Sequence, residues 1–160
     1  MFKKILCLMA ALVLVSACDT LGMGDGSGSA NGSGHMGGPA KAGTQEDLVV
    51  NVGDRVFFAY NQSDLSAEAR ATLDRQAAWL KKYGSVKVTV EGHCDERGTR
   101  EYNLALGERR ATAVKNYLVA DGIPAARVKT ISYGKERPAV LGNNEAAWVQ
   151  NRRGVTVVTQ

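Results

Sequence analysis

An acid and a guanidinium stand fifteen residues apart in the middle of the chain, at Asp95 and Arg110. Asp95 follows an alternating apolar run that is typical of a strand, and Arg110 falls two to three turns into the helix predicted after it. A carboxylate accepts hydrogen bonds from an ammonium, whereas a guanidinium grips a carboxylate with two parallel bonds. The pair therefore suits a zwitterionic ligand; a surface salt-bridge network is the alternative that the residues alone leave open.

The adjacent residues His93 and Cys94 raise a second possibility, a thiol nucleophile or a metal site. A catalytic dyad needs side chains that face each other, whereas neighbours at the end of a strand point to opposite faces. The other histidine, His35, lies in a glycine-rich segment, and the chain has no CxxC or HExxH spacing. We therefore predict that the protein is not an enzyme, that it binds no metal, and that Cys94 is a small buried residue.

The elements that must hold these residues alternate between strands and helices from Leu48 onwards. Apolar residues recur at helical spacing after Ser66, a suitable N-cap, whereas Val86, Val88 and Val90 alternate with polar residues as in a half-buried strand. The pattern predicts an α/β (α+β) sandwich in which helices cover one face of an approximately four-stranded mixed sheet. The predicted strands are 55–60, 86–91, 128–133 and 155–159. The predicted helices are 66–83, a second ending at 121, and 144–151.

Two glycines are predicted to end the long helices. Gly84 stands where the C-terminus of a helix favours a left-handed residue, and Gly122 closes the second long helix.

The first residues have the order of a secretory signal. Lys3 and Lys4 precede an unbroken apolar run from Ile5 to Val15, and small residues follow it. The run is about half the ~20 residues that a membrane-spanning helix needs. We therefore predict a signal peptide over residues 1–17.

The stretch that follows, VSAC at 15–18, resembles the lipobox of bacterial lipoproteins. This resemblance implies that Cys18 becomes the first residue of the mature protein and carries covalent lipid, with no other cofactor. The alternative is an ordinary secretory signal with a chance cysteine at the cleavage point. The resemblance implies an anchor in the outer membrane. An acidic residue, Asp19, directly follows Cys18; an aspartate there retains lipoproteins at the inner membrane in some bacteria, so inner-membrane retention is the alternative location.

Residues 18–46 are predicted to form a flexible tether to a domain over 47–160. Glycine, serine, alanine and asparagine dominate residues 22–43, and such a segment buries too little apolar surface to fold. By the random-coil rule the tether spans roughly 30 Å on average, and about 95 Å when fully extended. The domain is therefore expected to work at a distance from its anchor.

Charge and cysteine content narrow the classes of function. The formal net charge is +4, and removal of Lys3 and Lys4 with the signal leaves +2, which is too weak to indicate a nucleic-acid partner. Of the three cysteines, Cys7 leaves with the signal and Cys18 would carry lipid. Cys94 then stands alone, so the mature chain is expected to have no intrachain disulfide.

Three motifs carry a specific resemblance. The run GHCDERGTREYNLALGERRA at 92–111, with ISYGKERPAVLG at 131–142 and NRRGVTV at 151–157, resembles the OmpA-like peptidoglycan-binding domain found in the lipoprotein family of the Tol–Pal envelope system. The resemblance covers roughly residues 53–160. It implies that Asp95 and Arg110 grip the free amino-acid end of meso-diaminopimelate in the stem peptide of the cell wall. It also assigns a supporting role to Asn103, a position near the ligand to Arg97, and a place in the pocket wall to Tyr60 and Asn61.

The resemblance further implies a non-catalytic protein that tethers the outer membrane to peptidoglycan and acts in envelope integrity and cell division. A periplasmic β-propeller protein of the Tol system would be its protein partner. This chain has Tyr60-Asn61 where the family often has Phe-Asp, which removes one carboxylate. The alternatives are a periplasmic adaptor without wall binding and a wall hydrolase.

Overall fold

The computed structural model of the protein describes residues 40–159. The predicted signal peptide, Cys18 and most of the predicted tether lie outside the described residues. Within 40–159 no helix combines the length and the apolar character needed to cross a membrane.

In the described part of the chain, four strands form one mixed sheet in the order β1–β4–β2–β3. β2 and β3 run parallel, whereas β4 lies antiparallel to both of its neighbours. The predicted fold, a four-stranded mixed sheet with helices, is confirmed. The strands are β1 (Arg55–Phe57), β2 (Lys87–His93), β3 (Val128–Gly134) and β4 (Arg153–Thr159).

β1 is shorter than the predicted strand over 55–60. Only Arg55, Val56 and Phe57 pair with β4. The chain turns shortly afterwards, since Asn61 has a left-handed φ of 58°. Phe58 still donates its amide to the Arg152 carbonyl at 2.9 Å, so the segment after β1 stays close to the beginning of β4.

The helices are α1 (Gln45–Asp47), α2 (Ala67–Lys82), α3 (Arg100–Ala120) and α4 (Glu145–Asn151). Each of the last three begins after a capping side chain: the oxygens of Ser66, Thr99 and Asn144 accept hydrogen bonds from the backbone three residues on. Gly122 has the expected left-handed conformation, with φ 93°. The same prediction for Gly84 is wrong, because α2 ends through Tyr83 and the φ of Gly84 is not positive.

Apolar side chains of α2 and α3 pack against the sheet and form the core. The alternation in β2 buries Val88 and Val90, and the helices contribute Leu73 and Leu80 from α2 and Leu118 from α3. The burial of these residues fixes the orientation of β2 and α3, which flank the candidate site.

Ordered contacts start slightly before residue 47, the predicted beginning of the domain. The side chain of Gln45 donates to the Thr156 carbonyl and accepts from the Val158 amide in β4. The carboxylate of Asp47 accepts from the indole nitrogen of Trp79 in α2 at 2.9 Å. These bonds attach the end of the predicted tether to the domain.

Candidate ligand-binding site

A pocket lies at the end of β2, where a loop leads into α3 opposite the segment that follows β1. All six residues that the sequence predicts for the ligand line this one pocket, which Cys94, Gly98, Tyr102 and Leu106 complete. They come from the segment after β1, the loop after β2 and α3, which the fold brings together. The six are Tyr60, Asn61, Asp95, Arg97, Asn103 and Arg110.

The carboxylate of Asp95 is buried and fully hydrogen-bonded. Its Oδ2 lies 2.6 Å from Nη2 of Arg97 and 3.4 Å from Nη1 of Arg152, and its Oδ1 accepts from Nε and the backbone amide of Arg97 at 3.2 Å each. Burial alone raises the pKa of Asp95, but the bonds from Arg97 outweigh it and hold the pKa below its ordinary value. Asp95 is therefore ionised at neutral pH.

The guanidinium of Arg110 is completely buried and holds three backbone carbonyls. It donates to Gln62 and His93 at 2.8 Å and to Ala59 at 3.1 Å. Among the described residues no carboxylate lies within 4.0 Å of it. Burial lowers the pKa of Arg110, yet an arginine stays protonated in proteins. The site thus contains a buried cation without an ionic partner in this part of the chain.

Asn103 braces the loop that carries Asp95. Its side-chain amide donates to the carbonyls of Arg97 at 2.8 Å and Thr99 at 3.0 Å. The backbone carbonyl of Asn103 accepts a hydrogen bond from the Cys94 thiol at 3.3 Å. Cys94 is buried as predicted, and this burial raises the pKa of its thiol.

His93 and Cys94 make separate contacts. The His93 ring stacks near Tyr133 at 5.5 Å and lies 3.4 Å from a carboxylate oxygen of Glu91, whereas the Cys94 thiol bonds to α3. Burial, together with the nearby Arg153 guanidinium, lowers the pKa of His93 to about 4. The ring is only 2% exposed, so it lacks the water that would stabilise its charged form. The two residues therefore do not form a dyad.

The Arg97 guanidinium is stacked between two aromatic rings at the mouth of the pocket. Its central carbon lies 4.1 Å from the ring centre of Tyr60 and 3.9 Å from that of Trp148 in α4. Nearby, the Tyr102 hydroxyl donates to the side-chain oxygen of Asn61. Arg97 therefore lies at the mouth of the pocket as the internal partner of Asp95.

Arg152 is the contact that sequence analysis missed. It is buried and donates to the Phe58 carbonyl at 3.1 Å, to Asp95 at 3.4 Å and to Glu145 at 2.7 Å. It lies 57 residues after Asp95. It lies in the motif NRRGVTV, whose distance from Asp95 in the sequence gives no sign of a contact with the acid.

The mixed sheet and the pocket at the end of β2 define an OmpA-like domain, and the sequence profile of the OmpA family matches residues 57–152. Two relatives show the narrower family. The peptidoglycan-associated lipoprotein of Rhizobium meliloti is 56% identical over 140 residues, which cover 88% of this chain and 74% of the relative. That of Pseudomonas aeruginosa is 43% identical, covering 95% of this chain and 94% of the relative. The chain therefore belongs to the peptidoglycan-associated lipoproteins.

A solved structure of the same family agrees with this assignment. The crystal structure of the peptidoglycan-associated lipoprotein from Burkholderia pseudomallei has a TM-score of 0.65 and 40% identity, and the match covers 66% of this chain and 90% of that one. The C-terminal domain of Helicobacter pylori MotB has a TM-score of 0.63 with 19% identity over 67% of this chain and 84% of that one, a likeness of fold alone.

Proposed function

We propose that this protein is a non-catalytic binder of the peptidoglycan stem peptide, which it grips by the zwitterionic end of meso-diaminopimelate. The observation that carries the proposal is the pair of buried charges in one pocket. Arg110 has no carboxylate within 4.0 Å among the described residues, and it shares the pocket with the ionised Asp95. A buried cation without an ionic partner is costly, so a ligand carboxylate stabilises it.

Each half of the zwitterion has a matching group. Arg110 spends three of its five N–H groups on backbone carbonyls, which leaves two for a ligand carboxylate. The ligand ammonium goes to Asp95, which is already fully hydrogen-bonded. The ammonium must therefore replace the side chain of Arg97, the more exposed of the two arginines that bond to Asp95. Binding is thus an exchange of one cation for another.

This arrangement should discriminate between stem peptides that contain diaminopimelate and those that contain lysine. A stem peptide with lysine keeps the distal ammonium but lacks the distal carboxylate, so Arg110 gains no partner from it. We expect wild-type protein to bind the diaminopimelate peptide much more tightly than the lysine peptide, and the Arg110→Gln variant to discriminate poorly between the two.

Calorimetry with the two defined peptides tests the proposal. Asp95→Ala or Arg110→Ala should weaken diaminopimelate binding by about 2–4 kcal/mol, roughly thirty-fold or more. The first variant leaves the ligand ammonium without its partner, and the second does the same to the ligand carboxylate. The double variant should lose less than the sum, since both groups hold one ligand. Arg109→Gln is the matched control, because Arg109 is the exposed neighbour of Arg110 and does not line the pocket. Equal wild-type affinity for both peptides would contradict the site assignment.

The wider role belongs to the same proposal. A lipid on Cys18 would anchor the protein at the outer membrane, and retention at the inner membrane is the alternative that Asp19 suggests. The domain would bind the wall as part of the Tol–Pal system. Support comes from family membership and from the pocket. Incubation with purified sacculi distinguishes the alternatives: a binder sediments with the wall and releases no soluble fragments, a hydrolase releases them, and an adaptor does not sediment.

We also propose that the β-propeller protein of the Tol system docks around the mouth of this pocket. Tyr60 and Tyr102 are 58% and 44% exposed there, and exposed aromatic residues are frequent in protein interfaces. The wall peptide and the propeller would then compete. Adding the diaminopimelate peptide should release a bound propeller, and release by the lysine peptide to the same extent would contradict competition through this pocket.

A further inference from the structure

The two arginines that bond to Asp95 differ in exposure and in origin. Arg97 belongs to the same loop as Asp95, and 29% of its side chain is exposed. Arg152 comes from the junction of α4 and β4, and only 6% of its side chain is exposed. The first can swing into solvent when a ligand arrives, whereas the second is enclosed by the fold.

Arg152 also joins the separate pieces of the pocket wall. Its Nε donates to the Phe58 carbonyl at 3.1 Å in the segment after β1, and its own carbonyl accepts from the Phe58 amide at 2.9 Å. Its Nη2 bonds to Glu145 of α4 at 2.7 Å, and its Nη1 to Asp95 at 3.4 Å. One side chain thus fixes the acid relative to the segment that carries Tyr60.

We propose that Arg152 is the positioning residue of the site: it keeps the carboxylate of Asp95 aimed and ionised when the ligand ammonium takes the place of Arg97. This inference rests on the proposed function of the pocket. Arg152 acts through Asp95 and need not touch the ligand.

The pKa of Asp95 depends on the charged groups that surround its carboxylate. Arg97 faces it from its own loop, Arg110 from α3 and Arg152 from the end of α4, while the Glu145 carboxylate lies beyond the two arginines that it contacts. Cys94 adjoins Asp95 but keeps its proton, since burial raises its pKa. Loss of Arg152 removes one cation and one hydrogen bond, so the pKa of Asp95 should rise.

The test compares Arg152→Gln and Arg152→Lys with Arg153→Gln in the full chain. Arg153 is the matched control, because it is also buried but, within residues 40–159, its side chain bonds only to the backbone carbonyls of Asn151 and Arg137. Carbon-13 NMR gives the pKa of Asp95 without ligand, and calorimetry gives the affinity for the diaminopimelate peptide. We expect Arg152→Gln to raise the pKa and weaken binding about tenfold or more. Arg152→Lys should restore part of both, and Arg153→Gln should leave both unchanged.

A double-mutant cycle separates positioning from general damage to the fold. If Arg152 acts through the Asp95 carboxylate, Arg152→Lys should weaken binding much less in an Asp95→Asn background than in wild type. An unchanged Asp95 pKa in both Arg152 variants, or an equal loss of affinity in both backgrounds, would overturn the inference. Failure of wild-type protein to bind the diaminopimelate peptide would instead overturn the proposed function. If Arg152→Gln does not fold, the lysine variant decides the question alone.

Discussion

Gly92 in β2 and Gly107 in α3 pack backbone against backbone. A Cβ atom placed on Gly107 would lie 2.8 Å from the carbonyl oxygen of Gly92, and one on Gly92 would overlap the carbonyl of Gly107. Real Cβ atoms essentially never come closer than 3.0 Å to another heavy atom. This contact limits the distance between the strand that leads to Asp95 and the helix that carries Arg110.

We predict that Gly92→Ala destabilises the domain by about 1–3 kcal/mol or more, because strand and helix must separate to admit a methyl group. Urea denaturation followed by circular dichroism measures the change. Gly84→Ala is the matched control: apart from its chain neighbours, no described residue lies within 4 Å of its Cβ position, and its φ is not positive. It should be neutral or slightly stabilising. Equal losses in both variants would show that the backbone contact is unimportant.

His93 should make stability depend on pH. Burial lowers its pKa to about 4, against an ordinary value of 6.5, so the unfolded chain takes up the proton more readily. Above pH 6.5 the ring is neutral in both states and its contribution is complete. Between pH 6.5 and 4 the unfolded state gains protons first, and about 3 kcal/mol of stability is lost.

Denaturation curves between pH 7.5 and 4 check this expectation. His93→Phe removes the titrating ring and should flatten the curve over that interval, while the carboxylates with lowered pKa values, such as Asp95, keep their own effect at lower pH. The same slope in the variant and in the wild type would contradict a buried neutral histidine.

The Cys94 thiol should be unreactive in the folded protein. It is 3% exposed, and burial raises its pKa, so little thiolate forms near neutral pH. In a Cys18→Ser chain without residues 1–17, we expect a disulfide reagent to label it about a hundredfold more slowly under native conditions than in denaturant. Equally fast labelling under both conditions would show that the loop after β2 opens freely.

Cys18 should carry lipid in cells that process the chain. Mass spectrometry of the wild-type protein should detect acyl chains that are absent from the Cys18→Ser variant, and the variant should leave the membrane fraction. Several acyl chains anchor durably because each buried methylene contributes ~0.8 kcal/mol. A soluble wild-type protein with an unmodified Cys18 would contradict the lipobox interpretation.

Local patterns predicted most of the secondary structure. The helix after Ser66 follows from its cap and from apolar residues at helical spacing, and β2 follows from the alternation of its valines. The errors fall where tertiary contacts compete with local preference. β1 stops at Phe57, and β4 begins at Arg153, two residues before the predicted strand, because pairing with β1 draws this charged residue into the sheet.

The sequence by itself, through the motifs that it shares with a family, indicated six of the residues that line the pocket and the family to which the chain belongs. Only the tertiary structure decided how they are paired. Asp95 bonds to Arg97 and to Arg152 but not to Arg110. The Arg110 guanidinium instead donates to three backbone carbonyls. The physical reason is that an arginine bonds to whichever acceptors the packed chain brings within its reach. The acceptors around Arg110, at Ala59, Gln62 and His93, come from segments up to 51 residues away.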